Sequence, residues 1–134
     1  MQKSQINLVF NEAEKALDAL KVALDAPMQE SKISVDATIR RFKLSIELFL
    51  KLLKRILATK GVEAQYPKDV LRQAYAGKLI NNEEQWLAML ADRNLTSHTY
   101  NEDLAMEIYL RIQKHYPTLK ATFDTLKKNS IRRF

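Results

Sequence analysis

Apolar residues recur three and four positions apart along most of this sequence, and that spacing is typical of one face of an α-helix. Three long series follow it, at residues 6–24, 39–56 and 104–126. Only two glycines and three prolines, the residues that most often interrupt helices, occur among the 134 residues. Hydrophobic residues make up 46% of the chain, enough to fill a core. We therefore predict one all-α domain spanning residues 1–134.

Prolines, glycines and capping residues indicate where the first helices begin and end. Pro27 is expected to close the first helix, because the residue before a proline avoids helical backbone angles. Ser31 or Ser34 can cap the second helix, which Gly61 then ends. A short third helix is expected to begin at Pro67.

The remaining boundaries complete the expected fold. Asn82 with Gln85 and Thr99 with Glu102 match the capping-box pattern, so each pair predicts a helix start. The last apolar series keeps its phase across Pro117, which favours one long helix kinked near that residue. The result is an antiparallel up-and-down four-helix bundle with a short extra helix.

The second predicted helix is apolar around more than one face. Additional leucines widen its stripe, at Leu44, Leu48, Leu50, Leu52 and Leu57. Such a helix either lies at the centre of the bundle or is shared with a second subunit. We expect both, with the second copy forming a two-fold symmetric homodimer.

Charge and composition restrict the possible partners. The formal net charge of +6 favours an anionic partner such as RNA or an acidic protein surface, although ordinary solubility charge is an alternative. Much of this excess lies in the tail, residues 127–134, which can be disordered. The absence of cysteine excludes disulfides and thiol catalysis, and two histidines 17 positions apart argue against a structural zinc site. Residues 44–57 are too short and too charged to span a membrane. We expect a cytoplasmic protein without a metal or cofactor.

The side chains best suited to chemistry are concentrated in residues 93–100. Arg93 provides a permanent cation and His98 an imidazole, with Asn94 between them. Thr96 and Ser97 add hydroxyls that can bind a substrate. Five residues along a continuous helix would separate Arg93 from His98 by roughly 140°. The two can therefore share a ligand only if the helix ends near Asn94 or if a second subunit presents the same junction.

If these groups converge, they suit the cleavage of RNA without a metal. Histidine can act as a general acid or base near neutral pH, and arginine can stabilise the charge on a phosphorane. A structural alternative is that the arginine and histidine cap carbonyls or pair with carboxylates, since Asp92, Glu102 and Asp103 are nearby.

Of the aromatic residues and the second histidine, only Tyr100 is expected to lie at the candidate site. Trp86 is in phase with Met89 and Leu90, which favours a place in the core over a base-stacking role. His115 is assigned no chemical role. Tyr100, two residues beyond His98, is expected to be exposed near whatever the cluster binds.

Two segments resemble a known family. Asp36-Ala-Thr-Ile-Arg-Arg-Phe42 with Glu47-Leu-Phe-Leu-Lys-Leu-Leu53 resembles the second helix of the nucleotidyltransferase substrate-binding proteins, a branch of the HEPN superfamily of helical bundles. The run Trp86-Leu-Ala-Met-Leu-Ala-Asp-Arg-Asn-Leu-Thr-Ser-His-Thr-Tyr100 is more similar still. The similarity extends from the first helix to about residue 126.

The resemblance implies a site and a partner. Arg93, Asn94 and His98 match the family's catalytic motif, and Tyr100 matches the tyrosine of its toxin branch. In that branch the helical protein is a dimeric ribonuclease toxin. A minimal nucleotidyltransferase (MNT) encoded beside it is the antitoxin, which transfers AMP to the tyrosine.

Three hypotheses follow for this chain. The first is a HEPN-type endoribonuclease toxin neutralised by an MNT-type partner. The second is a non-catalytic subunit that binds a substrate or nucleotide for the partner's transfer reaction, which similarity to the helical domain of kanamycin nucleotidyltransferase suggests. The third is a scaffold in which Arg93 and His98 can be replaced without effect.

Overall fold

The computed structural model of the chain describes the backbone of residues 2–26 and 31–133 and the side chains of residues 5–26 and 31–129. Within this part the chain is helical, without strands, which confirms the predicted all-α class. A short 3-10 turn, Thr96–His98, precedes the last helix. The helices are α1 (Gln2–Leu24), α2 (Lys32–Thr59), α3 (Pro67–Ala76), α4 (Glu83–Leu95) and α5 (Glu102–Arg133).

Contacts between α1 and α2 show that these helices are antiparallel. The guanidinium of Arg41 donates to the backbone carbonyl of Ala19 at 2.8 Å, and that of Arg55 donates to the Gln5 amide oxygen at 3.1 Å. Residue numbers therefore rise along α2 as they fall along α1.

Helix α5 runs antiparallel to α4 and parallel to α2. The Thr118 hydroxyl donates to the Gln85 side-chain oxygen at 2.7 Å near the start of α4, and Arg111 donates to Asp92 at 3.0 Å further along it, so residue numbers fall along α5 as they rise along α4. Phe49 of α2 packs edge-on against Phe123, with ring centroids 6.4 Å apart, while Lys32 at the start of α2 meets Glu102 at the start of α5. The up-and-down bundle is thus confirmed, with α3 as its short extra helix.

Helix α2 lies at the centre of this bundle. It packs against every other helix, and twelve of its residues are buried, among them Phe42, Phe49 and Leu53. Its central position accounts for the wide apolar surface that the sequence shows. Only Ile33 and Leu44 on this helix remain as exposed large hydrophobics. A second subunit is therefore not needed to explain the apolar width, and the homodimer stays a prediction.

Capping residues explain the helix starts, with one correction. The Ser31 and Asn82 side chains accept hydrogen bonds from backbone amides at the starts of α2 and α4, as predicted. The predicted cap at Thr99 is wrong. Asn101 caps α5 instead, its side-chain oxygen accepting from the Leu104 amide at 3.1 Å, because the intervening 3-10 turn moves the helix start two residues along the chain.

Left-handed residues terminate α2 and α3. Gly61 has a φ of 77°, which lets the amide of Val62 donate back to Leu57 and close the last turn of α2. Helix α3 stops before Gly77, as predicted, but the left-handed position falls on Lys78, with a φ of 62°.

Two prolines and the tail complete the comparison with the predicted elements. Helix α5 continues through Pro117 without interruption, which confirms a single long helix. Pro27 and Phe134 lie outside the described residues, and the backbone of the basic tail is helical as far as Arg133. No helix among the residues described is both long and apolar enough to cross a membrane.

Candidate active site at the junction of α4 and α5

The junction between α4 and α5 brings the motif residues to one end of the bundle. Helix α4 ends at Leu95, and the tighter 3-10 turn follows directly. Arg93 therefore lies in the last turn of α4, whereas His98 ends the 3-10 turn. The regular helix stops one residue beyond Asn94, so the 140° separation of a continuous helix no longer applies.

Hydroxyl groups close this end of α4. Thr96 donates to the carbonyl of Arg93 at 2.6 Å, and Ser97 donates to the carbonyl of Asn94 at 3.2 Å. Thr99 repeats the pattern one turn later by donating to the carbonyl of Thr96 at 3.0 Å. These bonds satisfy carbonyls that a helix end leaves without partners. The predicted substrate-binding roles of Thr96 and Ser97 stay predictions, with their hydroxyl protons engaged in the turn.

The motif side chains are available to a ligand. His98 and Asn94 are exposed, and Arg93 is half-buried with its Nε atom buried and without a hydrogen-bond acceptor. Throughout the described ranges, neither Arg93 nor His98 forms a side-chain ion pair or hydrogen bond, with each other or with any other residue. Among the described residues, the terminal guanidinium nitrogens of Arg93 have no protein acceptor and so remain unpaired donors for a phosphate.

Tyr100 lies beside His98 at the surface. The two rings are edge to face, with centroids 6.2 Å apart, and Tyr100 is 84% exposed. The predicted exposure of this phenol is confirmed. The structure thus groups His98 with Tyr100, while Arg93, on the same junction, forms no hydrogen bond, ion pair or ring contact with either.

One residue before Arg93, Asp92 occupies the centre of a charged cluster. Arg111 donates to both of its carboxylate oxygens, through Nε at 3.0 and 3.1 Å and through Nη2 at 3.0 Å. His115 bonds the second oxygen through Nε2 at 2.8 Å. The His115 ring also stacks on Phe42 of α2, at 5.9 Å between centroids. We call Asp92, Arg111 and His115 the Asp92 triad; Asp92 and His115 are buried, and Arg111 is partly exposed.

The triad holds its carboxylate in the ionised state. Burial alone would raise the pKa of Asp92, but hydrogen bonds from His115 and Arg111, together with their charges, lower it below its ordinary value of 3.8. Asp92 is therefore engaged with α5, and the structural alternative in which it pairs with Arg93 or His98 is wrong. Glu102 also faces elsewhere, toward Lys32 at 3.6 Å.

Sequence reasoning missed the triad because it assigned His115 no role. A signal existed in the spacing of Arg111 and His115, which are four residues apart and so share one face of a helix. Trp86, in contrast, is 1% exposed and packs against Phe49 with centroids 5.3 Å apart, which confirms its predicted place in the core.

A groove of about 630 Å³ opens beside the junction, between the N-terminal halves of α2 and α5. Its apolar surface comes from Val35, Ile39, Ala105 and Met106, and Tyr100 also lines it. Its charged side chains are Lys32, Arg40 and Lys43 together with Asp36 and Glu102. We call it the α2–α5 groove. In the part of the chain that the structure describes, no group of three or more potential metal-ligating side chains occurs.

Comparison with known proteins places the chain in a family. The family model described as nucleotidyltransferase substrate binding protein like matches residues 8–128. The chain belongs to this family. The match covers the whole described bundle apart from the first residues of α1 and the end of α5.

Two solved structures share the fold of this family member. A crystal structure of a Thermus thermophilus protein is 36% identical, with a TM-score of 0.78, over 85% of this chain and 98% of that one. A protein from Haemophilus influenzae is 26% identical, with a TM-score of 0.67, over 93% of this chain and 98% of that one. Its structure is described as the fold of a substrate binding domain of a nucleotidyltransferase.

One curated relative carries an activity in its name. It is the probable ribonuclease HepT of Haemophilus influenzae, 41% identical over 71 residues. The match covers 49% of this chain and 49% of that protein, so it spans about half the length of the relative.

Proposed function

We propose that this protein is a HEPN-type endoribonuclease that works without a metal. The observation that carries the proposal is that the chain has two arginine–histidine pairs near the end of α4, and only one of them is bound to a carboxylate. Arg111 and His115 bind Asp92, whereas neither Arg93 nor His98 forms a side-chain ion pair or hydrogen bond among the described residues. The named ribonuclease among the relatives supports the same conclusion.

The proposed reaction is an internal displacement at a phosphodiester. The 2′-oxygen of a ribose attacks the adjacent phosphorus as the bond from phosphorus to the 5′-oxygen breaks, which leaves a cyclic 2′,3′-phosphate and a free 5′-hydroxyl. His98 accepts the proton of the 2′-hydroxyl or donates one to the leaving 5′-oxygen. Arg93 stabilises the negative charge that builds up on the phosphorane oxygens, and Asn94 orients the phosphate.

A homodimer would supply the second proton transfer. One imidazole cannot accept and donate a proton at opposite oxygens in the same step, so a second copy of His98 facing the first completes the site. We propose such a two-fold symmetric dimer in the cytoplasm. Light scattering of the purified chain measures its mass directly.

The decisive experiment is RNA cleavage in the presence of EDTA. We expect the wild-type protein to cut RNA and His98→Ala to lose this activity. Arg93→Ala should also lower cleavage, because Arg93 stabilises the phosphorane charge. Arg72→Ala is its matched control and should cleave like the wild type, because Arg72 is exposed on α3 away from the junction. Equal cleavage by wild type and His98→Ala would refute the proposal and identify a contaminating nuclease.

The family's association with nucleotidyltransferases leads to a regulatory step. We propose that an MNT-type partner transfers AMP to Tyr100: the phenolic oxygen attacks the α-phosphorus of ATP, pyrophosphate leaves and the phenol loses its proton. The added phosphate would lie beside His98, since the two rings are 6.2 Å apart, and would compete with RNA. After coexpression with the partner, intact mass should show AMP adducts that Tyr100→Phe removes and Tyr66→Phe keeps. Tyr66 is the matched control because it is 70% exposed.

A second candidate function is a non-catalytic subunit that presents a substrate or nucleotide to the nucleotidyltransferase. The α2–α5 groove and the Haemophilus influenzae structure described as a substrate binding domain favour it. This candidate predicts no RNA cleavage by the isolated protein, and transfer by the partner that weakens when the groove is filled. Absence of cleavage together with an unmodified Tyr100 would decide in its favour.

A further inference from the structure

The α2–α5 groove combines an apolar surface with unpaired cations. Arg40 and Lys43 lie three residues apart on α2, both exposed, and neither forms an ion pair or hydrogen bond within the described residues. Lys32 is bound only to Glu102, at 3.6 Å, and both of these side chains are more than 75% exposed. Such an exposed pair contributes little and can exchange for another anion.

The dimensions and charge of the groove restrict its occupant. Its volume of about 630 Å³ falls in the range of pockets that hold small organic ligands. Three cations face two carboxylates, Asp36 and Glu102, so one positive charge is in excess. An anion with a flat apolar part fits this combination, whereas a purely apolar segment would leave Arg40 and Lys43 unused.

We propose that the α2–α5 groove binds one nucleotide. Its base packs against Ile39 and Met106, and its phosphate meets Arg40 and Lys43. Tyr100, which lines the groove and is 84% exposed, offers a ring face for stacking of the same base or of its neighbour.

The groove lies next to the proposed catalytic residues. Its role in RNA cleavage, described next, rests on the proposed ribonuclease function. Tyr100 lines the groove and also contacts His98, so an RNA chain with one nucleotide in the groove would carry its next phosphodiester toward the imidazole. The groove is then a subsite that selects which bond is cut. A base can enter the groove only from a single-stranded segment of RNA, because a base within a duplex is paired and has both faces stacked.

The first test measures binding of AMP, adenosine and inorganic phosphate to the full chain by isothermal titration calorimetry. We expect AMP to bind more tightly than either fragment, because each fragment uses one half of the groove. Met106→Trp should fill the groove and abolish binding of AMP and of adenosine. Leu110→Trp is the matched control, since Leu110 is on the same helix one turn further and outside the groove lining.

Charge variants test the phosphate half. Arg40→Gln and Lys43→Gln should each weaken AMP about threefold to tenfold and leave adenosine unchanged. Lys114→Gln, an exposed unpaired cation on α5 outside the groove lining, should change neither. Unchanged AMP affinity in Met106→Trp, Arg40→Gln and Lys43→Gln would overturn the proposal. So would a drop in oligomer mass in these variants without AMP binding by the wild type, because a second copy of the chain would then be the occupant.

Cleavage assays separate this inference from the proposed function. If RNA is cut in a His98-dependent way, Met106→Trp should raise KM and change the preferred base at the cut while kcat is largely kept. If cleavage is His98-dependent but indifferent to Met106→Trp, the subsite is refuted and the ribonuclease stands. If AMP binds through Arg40 and Met106 but RNA is never cut, the nucleotide site stands and the ribonuclease is refuted.

Discussion

Two arginine–histidine sets meet near the end of α4, and the structure treats them in opposite ways. Arg111 and His115 bind Asp92 inside the bundle, and the His115 side chain is 9% exposed. Arg93 and His98 belong to the adjacent junction, where His98 is exposed and neither side chain forms an ion pair or hydrogen bond with the described residues. The same residue types therefore stabilise the fold in one place and are available for chemistry in the other. The direction of the Asp92 carboxylate explains the difference. Asp92 and Arg93 point about 100° apart on α4, so Asp92 faces Arg111 and His115 and leaves Arg93 without this carboxylate.

The largest expected effect separates the two histidines by activity. His98→Ala should lower the rate of RNA cleavage by about 10²–10⁴-fold, the range typical of a lost general acid or base, with an unchanged melting temperature. His115→Ala should keep the cleavage rate per folded molecule, because His115 is bound to Asp92 and does not reach the surface. Loss of cleavage in well-folded His115→Ala would break the comparison and assign the buried histidine to the reaction.

Substitutions in the Asp92 triad should lower the stability of the protein, whereas those at the exposed junction should not. Asp92→Asn removes the negative charge that Arg111 and His115 contact and should lower the free energy of unfolding by about 1–2 kcal/mol, because Arg111 is partly exposed and stays solvated. Asp103→Asn is the matched control, because Asp103 is exposed and unpaired among the described residues. Urea unfolding monitored by circular dichroism gives both values. A stability loss in Asp92→Asn no larger than in Asp103→Asn would show that the triad does not stabilise the bundle.

Acid should weaken the triad. Because the pKa of Asp92 is lower in the folded protein than its ordinary 3.8, the carboxylate contributes its full stability above that pH. The contribution is lost as the pH falls through the folded pKa, where Asp92 becomes protonated. The difference in unfolding free energy between wild type and Asp92→Asn should thus shrink as the pH falls below 3.8. A difference that stays constant into that acid range would contradict the lowered pKa.

The smallest expected effects come from exchanging each arginine for lysine. Arg93→Lys keeps the charge but loses the planar donor fork, so RNA cleavage should fall about tenfold without a change in stability. Arg111→Lys should leave cleavage intact and cost less than about 1 kcal/mol of stability, because the Arg111 side chain is 41% exposed and solvent screens its ion pair. Equal effects of the two exchanges on cleavage would mean that both arginines serve one site.

Much of the fold could be predicted because local signals agree with the tertiary structure. The three–four spacing gives the helices, and the caps at Ser31 and Asn82 act as the sequence indicates. The Thr99 cap failed because the capping residue is Asn101, two positions later, and this choice depends on the 3-10 turn between α4 and α5. Such a choice between neighbouring turns is decided by a few hydrogen bonds and leaves no strong periodic signal.

The proposed site was only partly accessible to sequence reasoning. The cluster of polar groups at residues 93–100 and the exposure of Tyr100 follow from its position between two apolar series. The pairing of Asp92 with His115, 23 residues away, does not, because it depends on how α4 and α5 are aligned side by side. The groove between α2 and α5 has the same origin, since its two walls come from helices about 70 residues apart in the chain.

The amino-acid sequence by itself determined an all-helical bundle, its apolar faces and the residues able to perform acid–base chemistry, because periodicity and side-chain type are local properties. Tertiary packing alone decided which histidine is buried against a carboxylate and which is exposed. It also decided that α2 and α5 run side by side in the same direction and leave a charged groove at their N-terminal ends. These outcomes depend on distances between residues far apart in the chain, which only the packed core fixes.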